Sequence, residues 1–140
     1  MIILDSNVIS EVMRPDPDQV ALTWIDDQLA HELYLTTITL AEVRYGIAVL
    51  PAGRRRDRLS ELFEERLMPQ FHERVLAFDE PASVVYASLM ARARGRGRAI
   101  SQSDGLIAAI AVANRAVVAT RDVAPFEAAD LPVVNPFAQP

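Results

Sequence analysis

Apolar residues follow two patterns that alternate along the chain. In short stretches they are consecutive and rich in β-branched and aromatic residues, which predicts buried strands. The predicted strands are residues 2–5, 32–38, 74–79, 116–120 and 131–136. Between them, apolar residues recur every three or four positions, which predicts helices. The predicted helices are residues 20–29, 39–50, 54–68, 81–94 and 103–114.

The order of these elements indicates the fold class. Strands alternate with helices, and the strands are continuous apolar runs, as in a parallel sheet that helices cover on both faces. We therefore expect an α/β fold with a central, mainly parallel sheet of about five strands. Pro132 and Pro136 predict that the last strand lies at an edge of the sheet. The 140 residues fit one domain over 1–140, since no linker or repeat divides them.

The longest unbroken apolar run, residues 106–113, is far shorter than the roughly 20 residues that a membrane-spanning helix needs. No basic segment followed by an apolar one opens the chain, so we expect no signal peptide. The expected location is the cytoplasm.

Composition narrows the possible chemistry. The sequence has no Cys, which excludes thiol nucleophiles and cysteine zinc sites, and all 14 basic residues are Arg. Without Lys the chain cannot form a phosphate-binding P-loop or a Schiff base. The two His residues belong to no motif, so carboxylates, hydroxyls and Arg remain. A net charge of −5 argues against a protein that coats nucleic acid, although an enzyme can still bind it locally.

Several acidic residues are predicted to lie at the same edge of the sheet. Asp5, Asp79 and Asp122 end or follow strands, while Glu42 and Asp104 lie in the first turns of helices. Sites in open parallel sheets form beyond the carboxyl ends of the strands, so these acids could converge there. Their mutual repulsion would be relieved by a divalent cation such as Mg²⁺ or Mn²⁺, which prefers oxygen ligands.

Each acid also has a purely structural interpretation. Glu42 follows Thr39 by three residues and Asp104 follows Ser101 by three, the spacing of a capping box. Asp79 precedes Glu80 and Pro81 and can cap a helix. Asp5 and Asp122 can each close a turn. One acid alone therefore indicates little, and the joint placement of several carries the metal-site hypothesis.

Four segments and a closing one resemble a known family, in the same order along nearly the whole chain. They are ILDSNVISEVMRPDPDQV, LYLTTITLAEVRYGIAVLPAGRRR, SDGLIAAIAV, VVATRDVAPFE and VVNPF. The sequence thereby resembles PIN-domain ribonucleases, in particular VapC-type toxins of bacterial toxin–antitoxin pairs, in their FitB-like branch. The resemblance implies a PIN-domain α/β/α sandwich. It also implies an endoribonuclease that hydrolyses RNA phosphodiester bonds and inhibits growth or translation when free of its antitoxin.

The resemblance assigns roles to individual residues. It implies that Asp5, Glu42, Asp104 and Asp122 are the catalytic acids and hold Mg²⁺, with Mn²⁺ as a substitute. This branch often has Asn at the position of Asp122. Further residues, which would orient the carboxylates or a water, are Ser6, Asn7 and Thr120.

The Arg-rich segment before the third acid has two interpretations. Arg94, Arg96 and Arg98 alternate with glycines and could guide an RNA backbone toward the acids, or could form a solvated loop.

The resemblance also implies partners. A VapB-type antitoxin would wrap the toxin and would carry the operator-DNA contacts of a larger assembly, and the toxin would form a homodimer. The helices at 39–50 and 54–68 could form its groove. The candidate contacts are Tyr45, Leu50, Leu59 and Phe63, although some of them could pack against the sheet instead.

Three alternatives stay open at this point. An inactive PIN-like module would only bind a partner. A nuclease with the same four acids could act on DNA. A phosphatase of the haloacid dehalogenase type would need Asp-x-Asp, and Asn7 replaces the second Asp.

Overall fold

A five-stranded sheet forms the centre of the molecule. The computed structural model describes residues 1–139. The strands are β1 (Ile2–Leu4), β2 (Leu33–Thr36), β3 (Val75–Leu76), β4 (Val117–Ala119) and β5 (Val133–Val134). They lie in the order β3-β2-β1-β4-β5, and every neighbouring pair is parallel. The prediction of a parallel sheet is confirmed, and β5 is an edge strand as its prolines predicted.

Seven α-helices connect and flank the strands in the described part of the chain. They are α1 (Ser6–Val12), α2 (Gln19–Asp26), α3 (Thr37–Ala48), α4 (Arg54–Glu61), α5 (Glu80–Gly95), α6 (Gln102–Ala113) and α7 (Ala124–Ala128). None of the helices described in residues 1–139 combines the length and apolar character needed to cross a membrane.

Two hydrophobic cores lie on opposite faces of the sheet. Successive residues of a strand point to opposite faces, so Ile3 of β1 belongs to one core and Leu4 to the other. Ile3 packs with residues of α5, α6 and α7, whereas Leu4 packs with residues of α1, α3 and Phe63. This two-faced burial is the α/β/α sandwich that the continuous apolar strands predicted.

Two short helices were not predicted. α1 follows β1 directly, and its apolar face carries Val8 and Ile9 into the core. α7 has five residues, too few for a helical periodicity to stand out, and it buries Phe126.

The helix expected at 54–68 changes type along its length. It is α-helical to Glu61, continues as a π-helix over Leu62–Leu67 and ends in a 3₁₀ turn over Met68–Phe71. Pro69 lacks an N–H and its ring would clash with a carbonyl of the preceding α-helical turn, so a regular helix cannot continue through it.

The observed helix caps confirm one of the capping roles predicted for the acids and contradict another. Asp79 caps α5 by accepting from Ala82 N at 3.1 Å, as predicted. The capping box expected from Thr39 to Glu42 is wrong, because α3 begins earlier and Thr36 Oγ1 accepts from Thr39 N at 3.0 Å. Glu42 therefore lies in the second turn of α3, where no cap needs its carboxylate.

Candidate metal and active site

The fold brings acids from four separate segments to one region. β1 and β4 are neighbours in the sheet, and Asp5 and Thr120 directly follow their carboxyl ends. Glu42 comes from α3, which starts where β2 ends, and Asp104 lies in the first turn of α6. Asp5, Glu42, Asp104 and Asp122 all lie within electrostatic reach of at least one other member of this set. We call these four residues the acidic set.

Asp5 is the most buried member of the acidic set, with 5% of its surface exposed. Its Oδ1 accepts from Ser6 N at 2.8 Å and so caps α1, and its Oδ2 accepts from Thr120 Oγ1 at 2.8 Å. Burial raises the pKa of Asp5, and the negative charges of Asp104 and Asp122 raise it further, against the two hydrogen bonds. Folding therefore holds this carboxylate in place at an electrostatic cost.

Glu42 lies partly buried beside Asp5. Burial raises its pKa most, the charges of Asp5 and Asp104 add to the rise, and the hydroxyls of Ser103 and Ser6 oppose it. Among the described residues, Glu42 Oε1 and Ser103 Oγ are buried and complete no hydrogen bond as they stand. Because the Ser103 hydroxyl acts on this carboxylate, a small side-chain rotation would pair the two atoms, and a bound cation is the other partner that would satisfy Glu42 Oε1.

The other two acids are held by local structure. Ser101 Oγ accepts from Asp104 N at 3.2 Å and donates to Asp104 Oδ2 at 2.9 Å, so the predicted cap of α6 is confirmed. Asp122 is exposed, and its backbone N donates to Thr120 Oγ1 at 3.1 Å. The hydrogen bonds between Asp104 and the cap residue Ser101 do not exclude Asp104 from the site, because the charge of Asp104 acts on both Asp5 and Glu42.

Thr120 and Asn7 link the first and fourth strands beneath the acids. The fully buried Thr120 hydroxyl donates to Asp5 and accepts from Asn7 Nδ2 at 3.0 Å. Asn7 Nδ2 also lies 3.5 Å from Asp5 Oδ2, and Asn7 Oδ1 accepts from Arg121 N at 3.1 Å. This network fixes the orientation of the Asp5 carboxylate from two directions.

The donor set fits a hard divalent cation in its chemistry. All four acidic side chains offer oxygen, one buried oxygen of Glu42 has no partner, and a cation would relieve the repulsion that raises two pKa values. As they stand, however, no three His, Cys, Asp or Glu side chains within residues 1–139 group closely enough to hold an ion. Side-chain rotation would have to close the set around a metal.

A cavity of about 670 Å³ lies between α1, α3 and α4, and Glu42 is the member of the acidic set that lines it. Ser6 and Asn7 line the same cavity. Its apolar part includes Val43, Ile47, Leu50 and Leu59, and its basic residues include Arg55, Arg58 and Arg121. We call this the α1–α3–α4 cavity.

The four residues expected to contact a partner occupy different places. Leu50 and Leu59 line the α1–α3–α4 cavity, and Tyr45 projects from α3 with 70% of its surface exposed. Phe63 is fully buried in the core that contains Leu4, so it packs against the sheet, the alternative left open for these residues, and does not line an exposed groove. Phe63 is the buried residue of the π-helical segment.

The Arg-rich segment interacts with Asp130, which is not a member of the acidic set. Arg96 Nη1 bonds Asp130 Oδ2 at 2.5 Å, and this hydrogen bond, with the charges of Arg96, Arg92 and Arg98, lowers the pKa of Asp130. Arg94 and Arg98 are exposed at the end of α5 and just beyond it. Neither these residues nor Arg96 line the cavity beside Glu42.

Sequence reasoning missed a buried charged residue next to the site. Glu11 of α1 has 4% of its surface exposed, and its carboxylate accepts from Arg14 Nη1 at 3.1 Å and Arg121 Nη2 at 3.0 Å. The apolar spacing of Val8, Ile9 and Val12 could have indicated the helix that buries it.

Comparison with known proteins identifies the family. The PIN domain family model matches residues 2–131, so the chain belongs to the PIN-domain family. It is 53% identical to the plasmid stability protein StbB of Pseudomonas syringae pv. tomato, over 98% of this chain and 99% of that protein. It is 50% identical to the VapC ribonuclease Y4jK of Sinorhizobium fredii, over 98% of both chains.

Solved structures support the same family assignment. A chain in the structure of FitAB bound to an IR36 DNA fragment superposes with a TM-score of 0.95 at 42% identity, covering 100% of this chain and 98% of that one. The resemblance to VapC-type and FitB-like PIN domains that the sequence motifs indicated is confirmed.

Proposed function

We propose that this protein is the toxin of a VapBC-type toxin–antitoxin pair and a metal-dependent endoribonuclease that hydrolyses RNA phosphodiester bonds. The observation that carries the proposal is the convergence of the acidic set at the carboxyl ends of β1 and β4 and at two helices beside them. The relative named a VapC ribonuclease supports RNA as the substrate. Growth or translation would stop when the antitoxin is missing.

In this proposal Asp5, Glu42 and Asp104 hold the metal ion, and Asp122 completes the site. The ion would be Mg²⁺, or Mn²⁺ in its place, because the ligands are carboxylate oxygens. When bound, such an ion supplies a polarised water as nucleophile and stabilises charge on the phosphate oxygens.

The protein's own groups orient the site and handle the proton. Thr120 and Ser6 hold the two oxygens of Asp5, so this carboxylate need not be ordered when metal binds. Glu42 Oε1 forms no hydrogen bond within the protein, and we propose that this oxygen faces the attacking water. It is therefore suited to accept the proton that the attacking water loses.

We further propose that a VapB-type antitoxin occupies the α1–α3–α4 cavity. Its apolar part, formed by Ile47, Leu50 and Leu59, suits the apolar side of an amphipathic segment, and Arg55 and Arg58 suit acidic side chains on that segment. The FitAB complex with DNA supports a partner of this kind, which would contact operator DNA while the toxin acts on RNA in the cytoplasm. The toxin would be a homodimer within such an assembly.

Purified protein free of antitoxin tests the activity directly. We expect it to cleave a structured RNA with Mg²⁺ or Mn²⁺, to stop with EDTA, and to leave DNA of the same sequence intact. Asp5→Asn should abolish cleavage, while Asp79→Asn, the same change at a cap outside the acidic set, should not.

Two results would contradict the proposal. Normal cleavage by folded Asp5→Asn would exclude Asp5 from the metal site. Cleavage of DNA but not RNA would assign the acidic set to a DNA nuclease instead.

A further inference from the structure

Arg121 is anchored at three points beside the acidic set. Its backbone N donates to Asn7 Oδ1 at 3.1 Å, and its Nη2 donates to Glu11 Oε1 at 3.0 Å. Its guanidinium carbon also lies 3.8 Å from the ring centroid of Phe137, near the C-terminal end. An Arg side chain ordinarily has many rotamers, so such a fixed geometry lowers the entropy cost of binding a further ligand.

The two Arg side chains that bond Glu11 carry more positive charge than its one carboxylate neutralises. One carboxylate, 4% exposed, is shared by two guanidinium groups, whose side chains are 63% exposed at Arg14 and 53% at Arg121. The cluster therefore keeps one net positive charge, and about half of the Arg121 side chain remains open to solvent.

The position of Arg121 relates this charge to the site. Arg121 follows Thr120, whose hydroxyl holds Asp5, and Asn7 bonds both Thr120 and the Arg121 backbone. The Arg121 side chain lines the same cavity as Ser6 and Glu42. Arg121 therefore belongs to the same hydrogen-bond network that orients Asp5, the most buried member of the acidic set.

An RNA backbone approaching this region meets the negative charge of the acidic set on a chain of net charge −5. A guanidinium offers five N–H donors in a planar fork that matches phosphate oxygens, and the bond to Glu11 uses only part of that fork. We propose that Arg121 is a substrate-binding residue that holds a backbone phosphate of RNA next to the acidic set, with Glu11 and Phe137 fixing its guanidinium. This inference rests on the proposed ribonuclease function.

A purely structural role for Arg121 would be to neutralise Glu11 and to hold the turn that carries Phe137. Arg14 lines the same cavity and also bonds Glu11, but only Arg121 is tied to Asn7 and Phe137. Arg14→Gln and Arg121→Gln therefore remove the same charge and the same type of bond to Glu11 at two different places. Each variant leaves one Arg on the buried carboxylate. Only Arg121→Gln removes the guanidinium that lies over Phe137, on the residue whose backbone N bonds Asn7.

The test measures binding and turnover in wild type, Arg121→Gln and Arg14→Gln. Binding of a fluorescent RNA oligonucleotide is followed by anisotropy with Ca²⁺ in place of Mg²⁺ at several salt concentrations. We expect Arg121→Gln to weaken RNA binding by about tenfold and Arg14→Gln by less than about twofold. The slope of log K against log salt should fall by about 0.7 for Arg121→Gln, as for one lost phosphate contact on a single strand. In cleavage assays KM should rise about tenfold while kcat changes little, since the contact exists before and during reaction.

Equal RNA affinities of the two variants, with equal losses of thermal stability, would overturn the inference and leave Arg121 a structural residue. Wild-type protein that neither binds nor cleaves RNA would instead overturn the proposed function, and this inference with it. Arg121→Lys should restore only part of the affinity, because an ammonium keeps the charge and loses the fork.

Discussion

Thr120 Oγ1 donates a hydrogen bond of 2.8 Å to Asp5 Oδ2 across 115 residues of sequence. The same hydroxyl accepts from Asn7 Nδ2 and from the backbone N of Asp122, so one buried atom connects two members of the acidic set. A substitution that removes the Thr120 hydroxyl and keeps the side-chain shape therefore tests whether this hydroxyl orients Asp5.

Thr120→Val should weaken metal binding and RNA cleavage by about 10–100-fold, the usual effect of losing a group that orients a metal ligand. Isothermal titration with Mn²⁺ and a cleavage assay would measure it. Thr120→Ser retains the donor and should stay close to wild type. If Val and Ser behave alike, the hydroxyl does not orient Asp5.

Stability without metal should depend on pH through Asp5. Because its pKa is raised in the folded protein, the stability associated with protonated Asp5 is present at acid pH and is lost as pH rises through the folded pKa. Asp5→Asn should therefore raise Tm relative to wild type in EDTA at neutral pH, and the difference should shrink toward pH 4. Thermal melts followed by circular dichroism would measure it.

Asp130→Asn provides a control of opposite sign. The pKa of Asp130 is lowered by the hydrogen bond and charge of Arg96, so its contribution to stability is present at neutral pH and is lost as pH falls. This variant should melt slightly below wild type at neutral pH and match it in acid. A Tm of Asp5→Asn below wild type at every pH would contradict the electrostatic cost assigned to Asp5.

Phe63 is buried and Tyr45 is exposed, so truncating them should change the free energy of unfolding by very different amounts. Phe63→Ala should cost about 3–5 kcal/mol of unfolding free energy, because the side chain is fully buried. Tyr45→Ala should change it by less than about 0.5 kcal/mol, because the side chain is 70% exposed. Urea unfolding would measure both. A small effect of Phe63→Ala would mean that the core around the π-helical segment is not packed as described.

Gly105 allows a close approach between α5 and α6. A Cβ at this position would lie 2.5 Å from Met90 Sδ and 3.2 Å from an atom of Tyr86, so Met90 would have to move. Gly105→Ala should therefore destabilise the protein by about 1–3 kcal/mol from overpacking, reduced by the better helix propensity of Ala.

Adding Met90→Ala to Gly105→Ala tests this explanation. If the clash causes the loss, the two changes should be less destabilising together than the sum of their separate effects, measured by urea unfolding. Strict additivity would show that Met90 is not what Gly105 accommodates.

The sheet and the acids could be predicted because each rests on local patterns. The continuous apolar residues of β1 and β4 indicate burial on both faces, and parallel strands bring their carboxyl ends to one edge, which relates Asp5 to Asp122. Glu42 was assigned to the correct helix, but its capping role was wrong, because Thr36 and not Thr39 caps α3, and the helix begins at Thr37.

Other features depend on contacts between distant residues. The bond from Arg121 to Glu11 joins positions 110 apart, and no pattern of single residues predicts it. Phe63 lies in a π-helical segment, and the change from α-helix to π-helix at Leu62 leaves no mark in the apolar pattern of the sequence. Asp130 has a positive φ of 58° and bonds Arg96, which lies 34 residues earlier, and neither feature is visible in the apolar pattern.

The strand order β3-β2-β1-β4-β5 has a consequence for synthesis on the ribosome. The central strand β1 is made first, yet its neighbour β4 and the Thr120 hydroxyl are made more than a hundred residues later. A nascent chain carries Asp5 long before Thr120 and cannot fix its carboxylate until β4 and Thr120 have emerged. Truncated products that stop before β4 would therefore lack an assembled site, and the order of translation itself delays the appearance of any activity there.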